Sequence, residues 1–191
     1  MSLPDYIPNA EVFITVKTYP TLSHKYGELV CTAGICNGQF VRIYPIRFRS
    51  MNEYQQYAKF QWIRLNLQKR PLGKDQRLES YSPDGNIVLG EKIGSGHNGW
   101  AARMRIINQI KMHDNLEELI NRAKVKPFPS LAALRPKKIL DFIIEPSARD
   151  WTEEQKNYFR QGDFFEEEGE PPEKIPYTYF YRFTTEDNKE R

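Results

Sequence analysis

Apolar and polar residues alternate along two stretches of the chain, and this alternation predicts strands that bury one face. In residues 40–44, the aliphatic face consists of Val41 and Ile43. In residues 59–69, it consists of Ile63, Leu65 and Leu67. Because aliphatic faces belong to a core, each strand keeps an aromatic and cationic row on its other face. These rows are Phe40, Arg42 and Tyr44 in the first strand, and Phe60, Trp62, Arg64 and Asn66 in the second.

The other periodic segments predict further strands and several helices. Asn37-Gly38 predicts a tight hairpin turn, and apolar residues at helical spacing begin near residue 100. Further strands are predicted at 12–18, 28–35, 86–93, 138–145 and 177–185, and further helices at 115–123 and 151–160. The pattern predicts an α+β fold with a bent antiparallel sheet or small β-barrel of five or more strands and about three packed helices.

The length of 191 residues suits one domain, so we expect a single domain over 1–191. Its regions are a β-rich part at 10–95, a helical part at 98–136 and a strand-helix-strand part at 137–185 with an acidic loop at 163–173. Residues 1–149 hold 22 basic and 13 acidic side chains, whereas residues 150–191 hold 6 and 12. We expect the acidic loop to compete with a ligand for the basic part of the chain.

Two cysteines and three scattered histidines give no four-ligand metal set, so we expect no metal and no cofactor. No apolar run approaches the roughly 18 residues of a membrane span, and the first residues do not form a signal sequence. The sequence therefore predicts a soluble cytoplasmic protein without a membrane partner.

Residues 40–77 carry nine Arg or Lys and only two acids, Glu53 and Asp75, with aromatic residues between the cations. Cations neutralise phosphates and flat rings stack on bases, so this stretch predicts a surface for nucleic acid or a nucleotide. An ordinary solvated sheet face is the alternative. We expect phosphate contacts from Arg42, Arg47, Arg49, Arg64, Lys69 and Arg70, and stacking on Tyr44 and Trp62.

The segment 94–99 matches the G-x-G-x-x-G pattern, between a predicted strand and a predicted helix. Its candidate phosphate-binding residues are Gly96, His97, Asn98 and Gly99. With His24, or with Asp75 and Glu79 as metal-binding carboxylates, this turn gives a second hypothesis, a hydrolase or transferase for a phosphorylated small molecule. The alternative is a Gly-rich turn with Asn98 as helix N-cap. No motif identifies a reaction, so the sequence favours binding over catalysis.

The predicted last strand places Tyr177, Tyr179, Tyr181 and Phe183 on one face. Such a strand must pair, because an aromatic strand left at a sheet edge promotes aggregation. We expect it to pair within the chain, and pairing with another chain gives a third hypothesis, an assembly subunit. The chain is therefore expected to be a monomer or a homodimer.

The runs ITVKTYPTLSHKYGELVCTAG, FVRIYPIRFR, KFQWIRL and LRPKKILDF resemble an uncharacterised bacterial and phage-associated family with small-barrel, OB-like modules. The resemblance spans much of residues 12–145. It implies a small barrel, and it implies no catalytic residue.

Overall fold

The structure is a computed structural model, and its contacts divide the chain into two compact units. It describes residues 3–19, 21–23, 27–46, 48, 51–71, 75, 77–161 and 173–191. The barrel unit comprises Met1–Tyr19, Val30–Met112 and Glu117–Ala133, and the hairpin unit comprises Pro20–Leu29, His113–Leu116 and Leu134–Arg191. The length of the chain had suggested one domain over residues 1–191. Each unit is described by itself below.

Five strands of the barrel unit pair in a ring. They are β1 (Tyr6–Lys17), β4 (Thr32–Cys36), β5 (Gln39–Ile43), β6 (Gln61–Lys69) and β7 (Ser80–Lys92). The order is β1-β4-β5-β7-β6, and β6 pairs back with β1, so the sheet closes into a barrel. Four of these pairings are antiparallel and one, between β5 and β7, is parallel. The fold is α+β, and its main sheet is mixed rather than purely antiparallel.

The alternation along the strands decides which side chains fill the barrel. Val41 and Ile43 of β5 are buried, as are Ile63, Leu65 and Leu67 of β6. The β4–β5 turn uses Asn37 and Gly38 at φ 49° and 70°, a left-handed conformation that this residue pair tolerates. The predicted inward faces and the predicted turn are therefore confirmed.

Helix α1 (Gly99–Ile107) follows β7, and α2 (Leu116–Ala123) comes later in the chain. Arg103 of α1 is buried and donates two hydrogen bonds, from Nε and Nη2, to the carbonyl oxygen of Ile93. Its guanidinium carbon lies 3.9 Å from the centroid of the Phe60 ring and 4.8 Å from that of Trp100. The helix is thus joined to the end of β7 through a buried cation between aromatic rings.

The hairpin unit contains the antiparallel pair β10 (Lys138–Pro146) and β11 (Tyr177–Thr184). The predicted pairing of the last strand within the chain is confirmed, although its partner is β10 and not the barrel. Helix α3 (Glu153–Gln161) packs near the short strands β2 (Thr21–Ser23) and β3 (Gly27–Leu29). The remaining strands are β8 (Met112–His113) and β9 (Ala133–Leu134). Most of the acidic loop at 163–173 lies outside the described residues.

Candidate anion-binding site

Cationic residues from three parts of the barrel unit meet at the short parallel pairing of β5 with β7. Arg42 lies opposite Ser80, and its backbone N–H donates to the carbonyl of Glu79 at 2.8 Å. Arg70 follows β6 directly, and its N–H donates to the carbonyl of Ser80 at 3.2 Å. These bonds hold the backbones of both arginines against the start of β7.

Three guanidinium groups surround one carboxylate at this point. Oδ2 of Asp75 lies 3.6 Å from Nη1 of Arg42, 3.9 Å from Nε of Arg70 and 3.9 Å from Nη1 of Arg77. Asp75 also accepts hydrogen bonds from the Ser80 hydroxyl at 2.6 Å and from the backbone N–H of Arg77 at 3.1 Å. Arginine stays protonated in proteins, so one negative charge faces three positive charges. We call Arg42, Arg70, Arg77 and Asp75 the arginine cluster.

Two nitrogen atoms of the arginine cluster have no hydrogen-bond acceptor. They are Nη1 of Arg42 and Nε of Arg70, and both atoms are shielded from solvent. Their distances to Asp75 are within ion-pair range but too long for a hydrogen bond. Buried polar nitrogens nearly always have a partner in folded proteins. An oxyanion placed beside Asp75 would supply the missing acceptor oxygens.

Tyr44 orders two of these guanidinium groups. The guanidinium carbons of Arg42 and Arg70 each lie 5.0 Å from the centroid of its ring. Nη1 of Arg70 also donates to the Tyr44 carbonyl at 2.9 Å. Tyr44, predicted to stack on a base, therefore contacts the cations of its own chain. These contacts restrict the two guanidinium groups and lower the entropy cost of binding a ligand.

Lys69 adds a further cation at the end of β6. Its ammonium nitrogen lies 4.7 Å from the centroid of the Tyr81 ring, on the strand that pairs with β6. Burial lowers the pKa of Lys69, while the carboxylates of Asp5, Glu79 and Asp75 act in the opposite direction. Burial also raises the pKa of the Tyr81 phenol, which donates to the Pro4 carbonyl at 3.1 Å.

The barrel unit has a small pocket that includes Glu79, whose backbone carbonyl accepts the N–H of Arg42. Its volume is about 60 Å³, and it is lined by Leu3, Gln39, Phe40, Leu78, Glu79 and Tyr81. Pockets that enclose a drug-sized ligand measure about 300–1,000 Å³. This pocket can therefore take a small group of a ligand whose remainder lies on the surface.

The other residues predicted for this surface are placed elsewhere. Arg64 is exposed and pairs with Glu11 at 2.9 Å, and the Trp62 ring lies 5.2 Å from that of Phe13. At about 3.3 Å per strand residue, Arg64 is roughly 16 Å along β6 from Lys69. Arg47 and Arg49 lie outside the described residues. The structure thus brings together Arg42, Tyr44, Lys69 and Arg70, and separates them from Trp62 and Arg64.

The glycine-rich turn is closed by its own backbone. The N–H of Gly99 donates to the carbonyl of Gly96 at 2.6 Å, so this amide is not available to a phosphate. A Cβ at Gly99 would overlap the carbonyl oxygen of Gly94, whereas a Cβ at Gly96 would meet nothing within 4 Å. Asn98 is the N-cap of α1, as predicted, but its side chain makes no capping hydrogen bond. His97 is exposed.

The partners proposed for this turn do not assemble a reactive site in the described part of the chain. His24 lies outside that part. Asp75 belongs to the arginine cluster, and Glu79 accepts hydrogen bonds from both the backbone N–H and the hydroxyl of Ser130. Where residues are described, no three His, Cys, Asp or Glu side chains come together as a metal site. None of the described helices is long and apolar enough to cross a membrane.

Two arginines with defined roles in the structure were not predicted from the sequence. Arg77 was not proposed as a site residue, although it ends the basic stretch and lies two residues after Asp75. Arg103 was not proposed either, although it lies on the helix face that carries Trp100 and Ile107. The position of Arg103 among apolar residues on one helix face could have indicated that it is buried.

Comparison with known proteins gives two family matches that divide the chain near residue 110. Residues 112–191 match the family described as Domain of unknown function (DUF8757). No curated protein matches the chain, and no solved structure matches it. Residues 8–109, more than half of the chain, match a second family model, so the chain belongs to the family described as Domain of unknown function (DUF8758).

Proposed function

We propose that the barrel unit binds nucleic acid or a nucleotide, with a phosphate held at the arginine cluster. One observation carries the proposal: three guanidinium groups share a single carboxylate, and two of their nitrogen atoms have no acceptor. Charge-assisted hydrogen bonds from arginine suit phosphate oxygens, because the planar fork matches their spacing.

The barrel supports a nucleic-acid ligand. OB folds are five-stranded Greek-key barrels, and they bind oligonucleotides with their second and third strands and with the loop between strands four and five. In chain order, β4 and β5 are the second and third barrel strands, and Asp75 and Arg77 lie between the fourth, β6, and the fifth, β7. We therefore propose an OB-like barrel whose ligand follows the surface near β5.

An open surface suits a strand of nucleic acid, which needs no enclosing pocket. The exposed position of Arg77 in the arginine cluster agrees with such a ligand. The unpaired thiols Cys31 and Cys36 agree with a reducing, cytoplasmic location, which we propose as well.

The test measures binding of labelled oligonucleotides by fluorescence anisotropy across a salt series. Single-stranded DNA of about 16 nucleotides covers the site size of one OB fold. Duplex DNA and ATP, measured in parallel, separate a polymer site from a mononucleotide site. Arg77→Ala removes an exposed cluster residue and should reduce the slope of log K against log salt by about one. Arg42→Gln should have a similar effect.

Arg64→Ala is the matched control, since it removes an exposed arginine from the same barrel away from the cluster. It should leave affinity and slope nearly unchanged. Wild-type protein that binds neither DNA nor ATP at low salt contradicts the proposal. Equal losses in Arg64→Ala and Arg77→Ala contradict the assignment to the arginine cluster.

A further inference from the structure

One face of the β10–β11 hairpin carries only uncharged side chains. The register places Phe142 opposite Tyr181 and Ile144 opposite Tyr179 on this face. A bulge between Ile139 and Asp141 keeps Ile139 on the same side. We call this surface the aromatic face, and it comprises Ile139, Phe142, Ile144, Pro146, Tyr177, Tyr179, Tyr181 and Phe183.

The aromatic face is exposed. Six of its side chains, from Ile139 to Tyr181, are between 45% and 62% accessible to solvent. The charged residues of the hairpin, among them Asp141, Glu145 and Arg182, occupy register positions on the opposite face. Monomeric proteins rarely leave an apolar patch of this kind in water, and such patches mark interaction sites.

The rings of the aromatic face are already arranged for packing. Phe142 stacks on Tyr179 with centroids 6.1 Å apart and planes 9° apart, and it contacts Tyr181 at 4.8 Å. Neighbouring rings restrict one another's rotamers. Binding of a partner over these rings would therefore cost little further side-chain entropy.

We infer that a second copy of this chain packs against the aromatic face, so that two hairpins form a face-to-face sandwich. An isolated two-stranded hairpin is marginally stable in water and needs another layer on its apolar face. The same face on two copies can meet about a twofold axis, with sheets about 10 Å apart. No charge would be buried, because the face has none.

The area agrees with a dimer of modest affinity. An aromatic side chain buries about 150–250 Å², so six half-exposed large side chains offer roughly 600 Å² per copy. Two copies would bury roughly 1,200 Å², the lower end of the range for specific protein interfaces.

Packing through the face is distinct from strand addition at the edge. The outer edge of β11 is partly used by its own chain, because Thr184 pairs with Glu190 and the backbone of Phe183 bonds that of Arg191 in both directions. The aromatic face differs from the opposite face, where Phe180 is also exposed, in that it carries no charged side chain.

Sedimentation equilibrium on the full chain tests the inference. The average mass should rise from 22.5 kDa toward twice that value as concentration increases, over a range of about 1–300 µM for an interface of this size. Tyr179→Glu places a charge at the centre of the face and should raise the dimer Kd at least tenfold. Thr178→Lys also adds one charge, on the opposite face and across from Glu145, and it should leave the Kd within about threefold.

Circular dichroism shows whether each variant is folded. If Tyr179→Glu fails to fold, Tyr181→Ser provides a milder change with the same expected direction. Wild type that keeps the single-chain mass at every concentration overturns the inference, as does binding to neutral lipid vesicles without self-association. Equal weakening by Thr178→Lys and Tyr179→Glu also overturns it.

Discussion

At the scale of single residues, burial and partners separate arginines that look alike in sequence. Arg64 is exposed and paired with one acid, whereas Arg103 is buried and fully engaged with a backbone carbonyl and two rings. Arg42 and Arg70 are between these cases, since they are largely buried and retain unused donor atoms. An anion could accept hydrogen bonds from these unused donor atoms.

Asp75→Asn should strengthen binding of single-stranded DNA. The carboxylate lies where a phosphate would gain the attraction of all three guanidinium groups, so it competes with the ligand. Loss of that charge should raise affinity about threefold to tenfold at low salt, and less at high salt. Anisotropy titrations at two salt concentrations measure this effect.

Asp84→Asn is the control for a general change in charge, because Asp84 is exposed on the same barrel.

The Asp75 variant should also lose about 1–3 kcal/mol of stability, since three cations then lack their shared partner. Weaker DNA binding by a folded Asp75→Asn protein would mean that the carboxylate positions the arginines and does not compete.

Tyr57 should make the stability of the barrel unit fall at high pH. Its hydroxyl lies 2.6 Å from that of Thr32 in the core, and burial raises its pKa, with the Thr32 hydrogen bond acting in the opposite direction. The unfolded chain releases this proton near pH 10, whereas the folded chain retains it. The stabilising contribution is therefore complete below about pH 10 and decreases as the pH rises further.

Urea unfolding at several values between about pH 8 and pH 11 measures this dependence, which should be shallower in Tyr57→Phe. The variant should also lose about 1–3 kcal/mol near neutral pH, because the Thr32 hydroxyl loses its partner. An unchanged pH dependence in the variant would assign the titration to another group, such as Tyr81.

At the scale of elements, local pattern predicts faces and turns better than it predicts pairing. The buried residues of β5 and β6 and the Asn37-Gly38 turn followed from alternation and turn chemistry. The parallel pairing of β5 with β7 did not, because it joins residues almost forty positions apart and involves only two residue pairs. The arginine cluster depends on that pairing. Its assembly was therefore not predictable from the sequence, whereas the separation of Arg64 from Lys69 follows from the length of the strand alone.

The residues that cap helices are likewise difficult to predict from local sequence. Asp150 and Glu153 have the spacing of a capping box for α3, but Thr152 and Gln155 form the reciprocal hydrogen bonds at its start. Ser130 is a common N-cap residue type, and here its hydroxyl bonds Glu79 instead. Several polar residues near a helix start satisfy the same rule, and tertiary contacts select among them.

Arg103→Ala should destabilise the attachment of α1. The change leaves the Ile93 carbonyl without two hydrogen bonds and removes the cation from the Phe60 and Trp100 rings. A loss of about 2–4 kcal/mol is expected from these two contributions. Urea unfolding measures it, and Arg105→Ala, an exposed change on the same helix, should cost less than about 0.5 kcal/mol. Equal effects of the two changes would contradict a special role for Arg103.

At the scale of the whole molecule, the family boundary and the change in charge fall at different places in the chain. The cationic surplus lies in residues 1–149 and the acidic surplus after them, while the two family matches meet near residue 110. The proposed anion site belongs to the first match and the aromatic face to the second. Ligand binding and self-association are therefore proposed for separate parts of one chain.

If both proposals hold, DNA length should reveal their combination. A dimer carries two arginine clusters, and a strand long enough to reach both binds the second as an intramolecular step. Wild type should then bind a long single strand, of about 60 nucleotides, at least tenfold more tightly than a short one of about 16. Tyr179→Glu should lose most of this length dependence and keep its affinity for the short strand. The measurement is a set of anisotropy titrations at a protein concentration above the dimer Kd. If a monomeric Tyr179→Glu protein keeps the length dependence, several protein molecules bind independently along one strand. DNA binding would then not depend on self-association.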